Sequence, residues 1–279
     1  MPSSKAAAYL ELLRPVNVAI ALVSIAVATI LAGMSLTAWP QMVLAMLAGG
    51  LIAGGANAIN DYFDVAIDAV NRPNRPLPRG ALTRQDALRV WWAVSLVGIS
   101  LNVFLNSGAL AIASLAVLLL YLYSARLKRT VLWGNLTVAL MTGMAFIYGG
   151  VVAGSVERAV VPSVFAFLVN LARELIKDAE DVEGDRLHAA GTLAVKKGTK
   201  TALAAGAAVL ILLIATTVLV YLLGQYNSTY FVVVLFVDAA LTAVIFMILS
   251  SDQRVHLARA STILKLSMIG GLLAIYLGS

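Results

Sequence analysis

The 279-residue chain has no cysteine and only two histidines, His188 and His256. Disulfides, a thiolate nucleophile and cysteine-ligated metals are therefore excluded. Both histidines are expected in polar loops, which leaves no plausible histidine-centred metal site or histidine-based triad. Charge is also scarce. Only 12% of residues are Asp, Glu, Lys or Arg, where a soluble domain carries about 25%. The net charge of +6 does not point to a nucleic-acid partner, because of where the cations fall along the chain.

What is present is overwhelmingly apolar. Hydrophobic residues make up 61% of the chain, and the mean hydropathy is +0.92. Nine apolar runs stand out, many of them reaching the roughly 20 residues that cross a bilayer as helix. They cover 16–36, 42–60, 87–106, 108–123, 132–153, 160–176, 201–223, 230–249 and 262–277. The expected fold is all-α: a polytopic membrane protein of about nine transmembrane helices, with residues 1–279 as a single integral-membrane domain. The fourth run is short enough to be tilted or partly interfacial. The first is too long for a cleaved leader and lacks a small-residue cleavage site, so it reads as a retained helix.

The cations set the topology. With the N-terminus on side one, 19 of the 20 Lys and Arg residues fall on side one and only Arg158 on side two. Cytoplasmic loops of membrane proteins are rich in Lys and Arg, so side one, with the N-terminus, is expected to be cytoplasmic.

Two acidic clusters interrupt the apolar pattern. Asp61, Asp64 and Asp68 form one; Asp178, Asp181 and Asp185 form the other. Both read D-x-x-D-x-x-x-D, each follows an apolar run, and both fall on side one. The repeat of spacing suggests an internal duplication. On a helix, offsets of three and seven return to within about 60° of one face at 100° per residue. Asn57 and Asn60 extend the first stripe; Asn170, Glu174 and Lys177 precede the second. Crowded carboxylates repel and raise one another's pKa, a conflict that a hard cation removes. Carboxylate and amide oxygens suit Mg²⁺, which often bridges to substrate phosphates. Basic residues flank each cluster: Arg72, Arg75 and Arg79 after the first, Lys177 and Arg186 around the second, Lys128 and Arg129 between. These are candidates to clamp phosphate oxygens. Asp238 stands apart, near the middle of the eighth run, where a bare charge is costly. It is expected to be neutral or hydrogen-bonded at a helix interface, the alternative being a wall of the site or a lateral opening.

These residues resemble the UbiA superfamily of intramembrane prenyltransferases. The first signature of that family reads here as Asn60-Asp61-Tyr62-Phe63-Asp64 through Asp68, followed by Asn71-Arg72-Pro73-Asn74-Arg75-Pro76-Leu77-Pro78. The second reads as Asp178 to Asp185. Leu13-Arg14-Pro15-Val16-Asn17 and Tyr123-Ser124 with Lys128 also look like the family. The segment from Arg173 to Asp185 is most similar to archaeal members that make ether lipids.

The resemblance implies an enzyme with a UbiA-like helical bundle that transfers a prenyl group from a polyprenyl diphosphate. Asn60, Asp64 and Asp68 would bind one Mg²⁺, and Asp181 and Asp185 a second, the two ions bridging the diphosphate. Asp61 and Asp178 would assist. Arg14, Arg72, Lys128 and Lys177 would add diphosphate donors. Tyr62, Phe63, Tyr121, Tyr123, Phe146 and Tyr148 are candidate walls for the prenyl chain. The acceptor implied by the ether-lipid likeness is the hydroxyl of geranylgeranylglyceryl phosphate. An aromatic acceptor such as 4-hydroxybenzoate is the alternative, and a cation or proton transporter is the reading from another class.

Overall fold

The computed structural model describes residues 4–187 and 191–279, and His188 lies outside them. Among the described residues there is helix and no strand. We number the helices α1 (Lys5–Leu13), α2 (Pro15–Leu31), α3 (Trp39–Asn71), α4 (Arg84–Leu101), α5 (Ser107–Ala125), α6 (Trp133–Ala153), α7 (Val156–Glu180), α8 (Val182–Leu187), α9 (Leu193–Lys197), α10 (Thr199–Leu222), α11 (Ser228–Ser250) and α12 (Arg254–Gly278). Eight of them are long and apolar enough to cross a membrane, and a ninth span exists if α1 and α2, bent by 42°, count as one. The expected nine-span, all-helical membrane protein is thus the observed one. The fourth run, α5, is a 19-residue helix of full spanning length.

Two departures from the expected spans matter. The first run begins earlier and is broken at Arg14. Pro15 lacks an N–H and disfavours right-handed helix at the residue before it, so α1 ends at Leu13. Arg14 takes a left-handed conformation (φ 53), the one positive φ outside glycine among the described residues. The second run extends well past residue 60, and α3 carries the whole first acidic cluster to its end at Asn71. His256 also lies in the first turn of α12, not in a loop.

The chain divides into two compact units, and each carries one acidic cluster. One comprises Met1–Leu127 with Ala145–Ala159; the other comprises Lys128–Met144 with Val160–Ser279. Within the first, α3 packs on α2 and α4 through small residues. Any Cβ on Gly50 would meet Leu22 of α2 at 2.8 Å, and one on Gly98 of α4 would stand 3.0 Å from the Ala48 carbonyl oxygen. Where lipid is as apolar as the side chains, close backbone approach of this kind drives association. Ile25, Ala45, Ala109 and Tyr148 form one buried cluster, and the Tyr148 hydroxyl donates to Asn102 Oδ1 (2.7 Å).

Within the second unit, α11 packs extensively on both α10 and α12. A polar network crosses it. The Thr217 hydroxyl of α10 donates to Asp238 Oδ2 of α11 (2.9 Å), and the Tyr230 hydroxyl donates to the Thr217 carbonyl (3.0 Å). Asp238 and Tyr230 are buried. Asp238 is therefore a hydrogen-bonded interface residue, as its position in an apolar run requires.

Candidate active site

The first cluster occupies the last turns of α3. Asp61 and Asp68 are buried (2% and 6% exposed), while Asn60 and Asp64 are half-buried. Asn60, Asp64 and Asp68 stand at successive steps of four, so they share one helix face. Burying two carboxylates this close together is costly without cations beside them. Arg14 and Arg75 supply these. The Arg14 guanidinium donates to Asp61 Oδ1 and to Asn57 Oδ1 (3.3 Å). Arg75 Nη1 bridges Asp61 Oδ1 (3.2 Å) and Asp68 Oδ2 (2.5 Å).

Each cation is held by local structure. Asn57, buried in α3, donates to the Leu13 carbonyl (2.9 Å) and accepts from Asn17 (3.3 Å). It thereby ties the α1–α2 break to α3 and turns Arg14 toward Asp61. This is the partner that an amide so deep in an apolar run needs. Arg75 comes from the proline-rich loop 72–82, which folds back on itself. Both Ala81 and Leu82 donate backbone N–H groups to the Pro76 carbonyl (2.9 and 3.1 Å), and Gly80 makes the turn at φ 75. Leu77 and Leu82 anchor the loop in a core with Ala8, Leu12, Ala58, Ile59, Ala87 and Trp91. Arg79 adds an ion pair to Glu11 (2.8 Å). At its far end the loop meets α4, whose start is closed by a reciprocal Thr83–Asp86 cap.

An aromatic cluster adjoins the same turns. Tyr62 meets Phe63 edge-on (5.1 Å between centroids), Phe63 meets Tyr121 (5.7 Å), and Tyr121 meets Trp91 (5.3 Å). Arg84 lies over the Tyr62 ring at 4.5 Å. Of the candidate prenyl walls, Tyr62, Phe63 and Tyr121 thus stand together beside the acids. Phe146 and Tyr148 are buried packing residues.

The second cluster is less regular than its spacing predicts. Asp178 sits on α7, which ends at Glu180; Asp181 lies at the bend, and Asp185 is on α8. Backbone bonding nevertheless steps through it, from Asp181 N–H to the Lys177 carbonyl (2.9 Å) and from Asp185 N–H to the Asp181 carbonyl (3.0 Å). The amide of Asn135, on α6, donates to Asp178 Oδ2 (2.8 Å). Arg72 and Lys177 are solvent-exposed, and Lys128 is half-buried on the short turn Leu127–Arg129.

Among the described residues no three Asp, Glu or His side chains gather closely enough to hold an ion on their own. Mg²⁺ takes one or two carboxylates and completes its shell with water and substrate phosphate. The donors at hand are hard oxygens: two carboxylates and an amide at Asn60, Asp64 and Asp68, and two carboxylates at Asp181 and Asp185. Sequence reasoning placed Arg75 among the flanking cations without singling it out. It missed Asn135, for which a lone amide in the apolar run 132–153 was the available signal.

The chain is similar to known proteins over nearly its whole length. The pattern of the UbiA prenyltransferase family matches residues 21–269. The chain is 39% identical over 267 residues to digeranylgeranylglyceryl phosphate synthase of Methanopyrus kandleri, covering 96% of this chain and 97% of that one. It is 37% identical over 274 residues to the protein of the same name from Thermococcus kodakarensis, covering 98% of each. A solved structure described as digeranylgeranylglyceryl phosphate synthase in membranes superposes with a TM-score of 0.88 at 28% identity, over 98% of both chains. A UbiA homolog from Archaeoglobus fulgidus bound to GPP and Mg²⁺ shares the fold, with a TM-score of 0.75 at 21% identity over 96% of this chain and 99% of that one. With an acid-bearing helix end, its arginine counter-ions and a family match over nearly the whole length, this chain belongs to the UbiA prenyltransferase family.

Proposed function

We propose that the protein, acting as one domain over residues 1–279, transfers a geranylgeranyl group from its diphosphate to the free hydroxyl of geranylgeranylglyceryl phosphate. The observation that carries the choice of acceptor is the near-full-length identity to relatives named for that synthesis. The site face and the N-terminus are cytoplasmic in this reading, in keeping with the cation asymmetry of the loops.

Asn60, Asp64 and Asp68 would hold one Mg²⁺, and Asp181 and Asp185 a second. The chemistry such ions would supply is neutralisation of the charge that develops on the leaving oxygens. The chain's own residues do the rest. Asp61 holds Arg14 and Arg75 in place. Asn135 fixes the carboxylate of Asp178, which assists the second ion. Arg14, Arg72, Lys128 and Lys177 offer donors to phosphate oxygens. The allylic C–O bond then breaks to give diphosphate and a resonance-stabilised cation; the acceptor hydroxyl oxygen bonds to that cation, and its proton passes to the released diphosphate. The apolar faces of Phe63 and Tyr121 line the prenyl chain and limit capture by water.

Labelled geranylgeranyl diphosphate with Mg²⁺ and the purified protein tests this. A labelled di-ether from geranylgeranylglyceryl phosphate is expected. Product only with 4-hydroxybenzoate would move the protein to the aromatic branch. No product with either acceptor would overturn the reading.

A further inference from the structure

Arg75 occupies the carboxylate that the metal reading needs. Its Nη1 is 2.5 Å from Asp68 Oδ2, and Asp68 is 6% exposed. A guanidinium N–H and a divalent cation compete for one carboxylate: the bond to Arg75 takes one of its acceptor sites, and the two positive charges repel. Arg75 has a second anchor, Asp61 Oδ1 at 3.2 Å, whose other neighbour is Arg14. Arg75 can therefore leave Asp68 without leaving the site.

We infer that Arg75 is an exchangeable counter-ion. It neutralises Asp68 until Mg²⁺ takes that carboxylate, and the displaced guanidinium, still tethered at Asp61, becomes a donor to the diphosphate that arrives with the metal. Asp61 is then a positioning residue for two arginines rather than a metal ligand. The metal adds two positive charges while Arg75 stays in the site, and the arriving diphosphate supplies the negative charge that offsets them, so metal binding and anion binding are coupled. The inference rests on the Mg²⁺ assignment of the proposed function.

Metal binding to the detergent-solubilised full chain, without any diphosphate, tests it. Mn²⁺ followed by electron paramagnetic resonance serves as the probe. Arg75→Gln should bind Mn²⁺ about tenfold more tightly than the wild type, because a charge-assisted bond no longer competes for Asp68. The same variant should lose turnover, since the diphosphate loses a donor. Arg72→Gln removes an equal charge without touching the Asp68 carboxylate, so it should change Mn²⁺ affinity by less than about twofold. Adding Asp68→Asn to Arg75→Gln should erase the gain. Arg75→Lys keeps the charge and should fall between wild type and Arg75→Gln. Unchanged or weaker binding in Arg75→Gln, or an equal gain in Arg72→Gln, overturns the exchange. If turnover depends on divalent metal and the gain is absent, only the exchange falls. If neither protein binds Mn²⁺ and turnover needs no divalent metal, the metal reading falls with it.

Discussion

Asn135 of α6 donates a 2.8 Å hydrogen bond to Oδ2 of Asp178, the first acid of the second cluster. Asn135 is itself buried, at 7% exposure. One amide thus sets the direction of a carboxylate that an apolar neighbour would leave adrift. Replacing it by leucine should cost about 1–3 kcal/mol through the unmet acceptor and lower turnover by about 10–100-fold, the usual effect of losing a group that orients a ligand. Thermal unfolding and initial rates measure the two effects separately. Wild-type rates in Asn135→Leu would show that the orientation of Asp178 has no part in turnover.

Asp64 and Asp181 carry the metal assignment most directly. In Asp64→Ala and in Asp181→Ala, turnover should fall by at least about 100-fold, because leaving-group stabilisation by the ion is worth several kcal/mol. Both variants should still fold and purify as the wild type does. Normal turnover in the two would remove the metal assignment.

The polar network of α10 and α11 leads to the opposite expectation. Asp238→Ala breaks the contact with Thr217 and leaves a small void, which should destabilise the protein by about 1–2 kcal/mol while turnover stays at the wild-type level. Tyr230→Phe removes the bond to the Thr217 carbonyl and should cost about 1 kcal/mol. A loss of activity in Asp238→Ala at unchanged thermal stability would place Asp238 in the site instead.

Leu77 has a role out of proportion to its chemistry, because it seats the loop that delivers Arg75. Leu77→Ala should destabilise by about 2–5 kcal/mol, as buried Leu-to-Ala changes do. It should also weaken turnover at temperatures where the protein remains folded. If residual activity simply tracked the folded fraction, the loop anchor would have no separate effect on the site.

Much of this was legible in the residues. Apolar runs of spanning length allow only helix in a bilayer, because every backbone N–H and C=O must be satisfied within the segment. The D-x-x-D-x-x-x-D spacing puts Asp61, Asp64 and Asp68 on one face of whatever helix carries them. A buried amide at Asn57 foretold a partner. Such features depend on neighbours within a turn or two, or on the solvent, and those are written locally.

What only the tertiary structure decided is which cation meets which acid. Arg72, Arg75 and Arg79 look alike in sequence. The fold of loop 72–82, with Leu77 and Leu82 buried among residues of α1, α3 and α4, sends Arg75 to Asp61 and Asp68, Arg79 to Glu11, and leaves Arg72 exposed. Arg14 reaches Asp61 across 47 residues of chain, and Asn135 reaches Asp178 across 43. Spacing carries no information about such pairs, because they are set by how helices pack and where a loop's apolar anchors are buried, not by the period of any one helix.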